Sequence, residues 1–296
     1  IMMILKRKKN KMEIKASQVK ELRDMTGVAM MECKKALVEC SGDIEKALDL
    51  LRSNSALKAE KKAARVAADG VLRVHVGDDY STLIEINSET DFAAKDENFI
   101  KFADDVQKFI SENKLTDIAD IHSSEVEDKR KALVQTIGEN IQLRRLETIE
   151  YTSEMNTGSY VHSDSKLGSI VVISGGDETL AKDIAMHVAA FNPLCLSEAD
   201  IDPQILEREK AIYMVQAEES GKPQEIMEKM IEGKLKRFLS EVSLLSQNFV
   251  KDPEVTIQNL LDSNNAKIES YTRLKVGEGI EVETKNFADE VAEQLK

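Results

Sequence analysis

Three stretches between residues 14 and 53 repeat apolar side chains at the spacing of one helix face. In "ASQVKELRDMTG" that face holds Val19, Leu22 and Met25–Thr26, with Ser17 in the N-cap position and Gly27 as the stop. "MMECKKALVECSG" aligns Cys33, Ala36, Leu37 and Cys40 ahead of Gly42. Asp43 then stands where it caps "IEKALDLLRS", whose buried stripe is Ile44, Ala47, Leu48 and Leu51. Short helices in this number predict a small three-helix bundle over 12–54, in which the cysteines are core residues. So thin a core suits docking better than catalysis.

The Ala- and Lys-rich "SALKAEKKAARVAADG", 55–70, reads as a helical linker stopped by Gly70. From 71 the period changes to two. "VLRVHV" and "YSTLIEIN" flank "GDD", a β-hairpin turning at Gly77–Asp79. "DENFIKFADDVQKFI", capped by Asp96, carries Phe99, Phe102, Val106 and Phe109/Ile110 on one face. A long helix ending near Gly138 and a further strand complete a first α+β subdomain over 71–150. The same order returns in "GSYVHSDSKLGSIVVIS" and "GGDETLAKDIAMHVAAF", whose Leu180, Ile184, Val188 and Phe191 face inward. His75 and Ile84 are separated as His162 and Val171 are. The pattern predicts a duplicated strand–turn–strand–helix core, the second subdomain covering 151–202 and resuming at 248–282, with the two packed or joined through their sheets.

Between those pieces, 203–247 reads as a helical hairpin: Pro near its first turn, a "GK" bend, and a return helix with Ile226, Met230 and Phe238. Its charge density marks a projecting arm, suited to homodimerisation or to partner contact. "NFADEVAEQL" in 283–296 is an amphipathic helix with Phe287, Val291 and Leu295 in a row, built to pack back or to dock in a groove. The fold class is α+β.

Composition narrows the function. A net charge of −13 argues against coating nucleic acid or an anionic membrane, since phosphate binding relies on Lys and Arg, and it favours a protein partner. Cys33, Cys40 and Cys195 form no CxxC pair, which fits a reducing, cytoplasmic setting. No apolar run approaches the roughly 18 residues needed to span a bilayer. The opening "IMMILKRKKNK" is too short for a signal segment, and Met12 follows at once. The mature chain is therefore expected to begin near Met12, with 1–11 a disordered tail or start-site artefact.

No phosphate-loop, dinucleotide, zinc-protease or nucleophile-elbow motif occurs, and "SGGDET" reads as a turn. His75, His122, His162 and His187 lie far apart; His187 suits a core or boundary position, and neither metal nor cofactor is expected. One stretch stands out. "INSETDFAAKDENF" runs from strand through a polar break into a helix, yet Phe92 sits in the break. Either Phe92 tucks under the next helix beside Phe99 and Phe102, or Thr90, Asp91, Phe92 and Ala93 form an exposed tip pressed into a partner. Met30 and Met31, at the front of the second helix, leave a parallel choice between packing and an adaptable contact surface. Local pattern decides neither.

The first bundle resembles the ubiquitin-associated fold. Taken in order, "LRDMTGVAMMECKKAL", "GDIEKAL", "INSETDFAAKDENF", "IGENI", "IAMHVAA", "SGKPQEIMEKMIEGKLKRF" and "VGEGIE" resemble the elongation factor Ts family from about Met12 to the end of the chain. The resemblance implies a guanine-nucleotide exchange factor of elongation factor Tu, with no catalytic chemistry of its own. Asp91 and Phe92 match the family's wedge beside the partner's Mg²⁺ and phosphate-loop site. Met30, Met31, Ile137, Gly138 and His162 match further contact positions, and the hairpin and terminal helix match its arm and C-terminal module. Ala93 stands where the family commonly has Val. That change is expected to weaken packing at the tip by roughly 1–1.5 kcal/mol if the residue is buried in the complex.

Overall fold

The computed structural model describes residues 14–281; the basic tail over 1–11 and the expected terminal helix with Phe287, Val291 and Leu295 lie outside the described residues. The chain divides into two compact units. One takes the described residues up to Gly70, Ile86–Arg144, and those from Gly277 onward; the other takes Val71–Glu85 and Arg145–Val276.

The first unit opens with α1 (Ala16–Thr26), α2 (Met30–Glu39) and α3 (Ile44–Lys62). Val19, Leu22, Val28, Cys33, Leu37 and Ala47 close its core, with Cys40 partly buried at the margin. Two expectations need correction. Helix α1 starts at Ala16, where the Gln18 side chain accepts the Lys15 N–H at 3.2 Å, so Ser17 lies inside the first turn rather than capping it. Met25 is exposed, because the last turn of α1 rotates past the seam before Gly27 ends it in the left-handed conformation. Helix α3 also runs on through most of the stretch read as a linker. Its later turns bury Ser55 and Ala59, and α3 packs along α7 (Glu125–Ile137), a segment far off in sequence.

Strands β1 (Asp69–Val76) and β2 (Tyr80–Ser88) flank the expected turn, where Gly77 N–H reaches Tyr80 O at 2.9 Å. Gly70, read as the linker's stop, is inside β1. A single-turn helix α4 (Asp91–Ala94) precedes α5 (Glu97–Asn113), α6 (Ile118–His122) and α7, and β3 (Ile141–Glu150) completes a sheet ordered β1-β2-β3. Asp96 caps α5 as its position predicts, accepting from the Asn98 N–H at 2.8 Å. Phe99, Phe102, Val106 and Ile110 form the buried face of α5 against α7.

In the second unit β4 (Met155–Val161), β5 (Leu167–Ser174) and β8 (Lys267–Lys275) form an antiparallel sheet in that order, with a bulge between Val172 and Ile173. Both sheets pair a hairpin's second strand with a strand that returns after helices. Helix α8 (Glu178–Phe191) lies on β4 and β5. It comes close enough that a Cβ at Gly158 would collide with the backbone of Ala181, which is why that strand position has no side chain. Leu180, Ile184 and Val188 are buried as expected; Phe191 is half exposed. It is the last helical residue, and its ring stacks on His187 with centroids 4.7 Å apart, so it covers the imidazole and leaves its other face to solvent. Leu72, Leu83 and Ile149 from the first sheet meet Ile170, Val172 and Leu274 from the second in one apolar cluster.

The arm is α9 (Pro203–Glu218) and α10 (Gln224–Val242), an antiparallel pair that fully buries little beyond Ala217. Residues 248–263, assigned from the sequence to the second subdomain without elements of their own, form the ribbon β6 (Asn248–Phe249) with β7 (Asp252–Thr256) and the short α11 (Ile257–Ser263). His187 occupies the expected core position beneath the arm's root. Its Nδ1 accepts the Val250 N–H at 3.2 Å, so Nε2 carries the proton and donates to Gln247 Oε1 at 3.0 Å. Burial lowers its pKa.

Candidate functional site

The break after β2 becomes a turn with its own cap. Thr90 Oγ1 accepts the Ala93 N–H at 3.2 Å, starting α4, and Ser88 Oγ donates to Thr90 O at 3.0 Å. The turn points its residues in opposite directions. Phe92 is 81% exposed, while Ala93 and Ala94 are each 4% exposed and seat the turn on the chain. The alternative in which Phe92 joins Phe99 and Phe102 is thereby excluded: the two alanines take the inward positions and no room is left for a ring. Ala93 faces its own chain, so the expected effect of a small residue there falls on the seat beneath the tip rather than on a partner-facing surface.

Asp91 is half exposed and its carboxylate pairs with Lys95 Nζ at 2.7 Å across one helical turn; this contact raises the Lys95 pKa. The i, i+4 spacing of these charges is a local signal that the sequence carries.

Helix α7 brings Ile137 and Gly138 to the same place. Gly138 ends α7 with φ of +87°, a left-handed conformation that side chains other than glycine rarely adopt, and its carbonyl is exposed to the Lys62 ammonium, which donates to it. The residue after it reaches the tip: Glu139 Oε1 accepts from Thr90 Oγ1 at 2.7 Å and Oε2 from the Thr90 N–H at 3.0 Å. In return Glu89 Oε1 takes the Asn140 N–H at 2.6 Å and pairs with Arg65 at 3.4 Å. The Asn140 side chain donates to Arg65 O at 2.8 Å. Burial and the neighbouring Arg65 charge lower the Lys62 pKa. None of Lys62, Arg65, Glu89, Glu139 or Asn140 was singled out from the sequence, because partners many residues apart leave no periodic signal.

Met30 and Met31 stand exposed at the start of α2, beside an open depression of about 560 Å³ with Lys20, Arg23 and Lys34 on its rim. Glu32 next to them is held by Lys58 at 2.6 Å and by Gln135 of α7 at 3.1 Å, with the Lys58 hydrogen bond the main cause of its lowered pKa. Methionines, Ile137, Gly138 and the Thr90–Ala93 turn therefore belong to one unit. His162 belongs to the other. It follows β4, half exposed, with Nδ1 3.0 Å from Asp164 Oδ1, and it helps lower the Asp164 pKa after the Lys166 backbone N–H. Among the described residues no cluster of His, Cys, Asp and Glu is arranged for a metal, and no helix is long and apolar enough to cross a membrane.

A family model described as elongation factor TS matches residues 89–278, a span that begins at the capped turn. A protein named elongation factor Ts from Hahella chejuensis is 51% identical over 285 residues, covering 96% of this chain and 99% of that relative. Similar proteins of the same name from Thioalkalivibrio sulfidiphilus and Francisella tularensis subsp. novicida are 46% and 48% identical, again covering 96% of this chain and 99% of each relative.

Proposed function

Since the chain belongs to the elongation factor Ts family, the translation elongation factors that exchange nucleotide on elongation factor Tu, we propose that it binds elongation factor Tu·GDP and expels GDP with the Asp91–Phe92 tip. The observation that carries this reading is the exposed Phe92 on a turn that is capped, seated by buried alanines and tied to a second loop. An aromatic ring held in water by that much structure is preorganised for a partner's pocket, where a buried aromatic carries a large share of binding energy.

In this reading Asp91 and Phe92 enter beside the partner's Mg²⁺ and phosphate loop, where most nucleotide affinity resides. Thr90 and Ala93 hold them there. Ile137, Gly138 and His162 add contacts that shift the loop, and Met30 and Met31 dock the helical bundle on the nucleotide domain. The apolar side chains exposed on the arm, Ile212, Met214, Val215 and Ile226, offer a further contact surface. No bond is made or broken by this chain. Exchange follows from linkage: whatever ratio favours binding to the nucleotide-free partner over the GDP-bound one is the ratio by which GDP affinity falls, tenfold for each 1.4 kcal/mol.

Calorimetric titration of the chain into nucleotide-free and GDP-bound elongation factor Tu tests the proposal. Much tighter binding to the nucleotide-free form is expected. Equal affinity for the two forms would leave no free energy to displace GDP and would end the proposal.

A further inference from the structure

The Phe92 turn has a hydrogen-bonding problem that its own residues do not solve. A threonine hydroxyl has one proton. At Thr90 the oxygen must keep a lone pair toward the Ala93 N–H to cap α4, so its proton has to be directed elsewhere. Glu139 supplies the direction. One carboxylate oxygen takes the hydroxyl proton at 2.7 Å and the other takes the Thr90 backbone N–H at 3.0 Å. Both donors of the residue immediately before Asp91–Phe92 thus end on one charged group, and hydrogen bonds to a charged acceptor are the stronger kind.

Glu139 is itself held. Gly138 before it is fixed by the end of α7 and by Lys62, and Asn140 after it is fixed by Glu89 and the Arg65 carbonyl. The two loops clasp each other reciprocally, Glu139 to Thr90 and Glu89 to Asn140. The Glu139 charge also acts on the Lys62 ammonium that holds Gly138.

We propose that Glu139 is a positioning residue, whose carboxylate fixes the direction of the Asp91–Phe92 tip by holding both protons of Thr90. The proposal rests on the exchange reading above. Without the carboxylate the hydroxyl is free to rotate, its cap on the Ala93 N–H loosens, and the tip samples other directions. Its competent fraction falls, and the rate of nucleotide release in the formed complex falls with it.

The test uses the full chain with Glu139→Gln, Thr90→Val and the double variant. Two readouts are taken: amide hydrogen exchange over residues 90–95 of the free protein, and release of a fluorescent GDP from elongation factor Tu across a range of chain concentrations. Glu139→Gln keeps shape and one acceptor, and is expected to leave the unfolding midpoint unchanged while lowering the maximal release rate roughly tenfold. The concentration for half-maximal effect should stay within about twofold. Thr90→Val removes the cap as well as the hydroxyl donor and is expected to lose at least as large a factor, with the double variant losing little more than Thr90→Val alone, because the Glu139 carboxylate acts through Thr90. Amide exchange at Ala93 should be on the order of tenfold faster in Glu139→Gln.

A wild-type maximal rate in Glu139→Gln, or losses that multiply in the double variant, overturns the proposal. If the unsubstituted chain itself fails to accelerate release, the exchange reading falls, and amide exchange then judges the clasp alone. Unchanged protection of Ala93 in Glu139→Gln overturns it; faster exchange upholds it.

Discussion

Replacing Phe92 with alanine separates folding from function, and the structure sets both magnitudes. At 81% exposure only about a fifth of the side chain leaves water on folding. For a ring that can bury roughly 150–250 Å², that is about 40 Å², or about 1 kcal/mol at ~25 cal/mol/Å² as an upper bound. Phe99, a few residues on, is 0% exposed, and its truncation is expected to cost about 3–5 kcal/mol. Urea unfolding should therefore show Phe92→Ala within about 1 kcal/mol of the unsubstituted chain and Phe99→Ala strongly destabilised. In stimulated GDP release the order reverses for the tip. A hot-spot aromatic is worth about 2 kcal/mol or more, a factor of roughly 30, and the loss should exceed the loss in complex formation. Two results refute the reasoning. A destabilisation of several kcal/mol for Phe92→Ala means the ring is packed, and undiminished release from an intact complex means it is not the wedge.

The remaining predictions concern the tip's charge, a buried ion pair and a buried histidine. Lys95→Met removes the 2.7 Å partner of Asp91; the unfolding midpoint should scarcely change, since the pair is exposed, and release should be at least as fast as normal, a slower rate showing instead that Lys95 aims the carboxylate. Arg145 Nε lies 2.5 Å from a Glu85 carboxylate that is fully buried, so Arg145→Leu should cost about 3–5 kcal/mol in urea unfolding, with much of it recovered when Glu85→Leu is added; additive losses would contradict a charge-pair origin. His187 is buried neutral with a lowered pKa. As pH falls through the ordinary value of about 6.5 the unfolded chain takes up a proton that the folded chain refuses, so stability declines from there until the depressed folded value is reached. Unfolding midpoints at two pH values either side of that range should fall less in His187→Gln than in the unsubstituted chain, and an identical fall would remove the histidine from the account.

Much of the fold was legible because its signals are local. The faces of α5 and α8, the caps at Asp43 and Asp96, the Gly138 stop and the Gly77–Asp79 turn all follow from residues within a few positions of one another. What escaped was set by distant chain. Helix α3 extends through the buried Ser55 and Ala59 and packs along α7, a partner that no window around those residues contains. Phe191 matched the buried stripe by spacing, yet the stripe ends at the helix terminus, where the ring caps His187 instead. At the site, Asp91 and Phe92 stood out by type and family pattern, but which way the ring points depended on the two alanines beside it. The Glu139–Thr90 contact joins residues 49 apart and could not be read from either segment.

The central claim, that this chain drives GDP from elongation factor Tu, is tested most directly by the release rate of a fluorescent GDP preloaded on that partner. With excess unlabelled nucleotide, the rate should rise with added chain to a plateau many-fold above the spontaneous rate. A rate that stays at the spontaneous value at every chain concentration, with the complex formed, would contradict it.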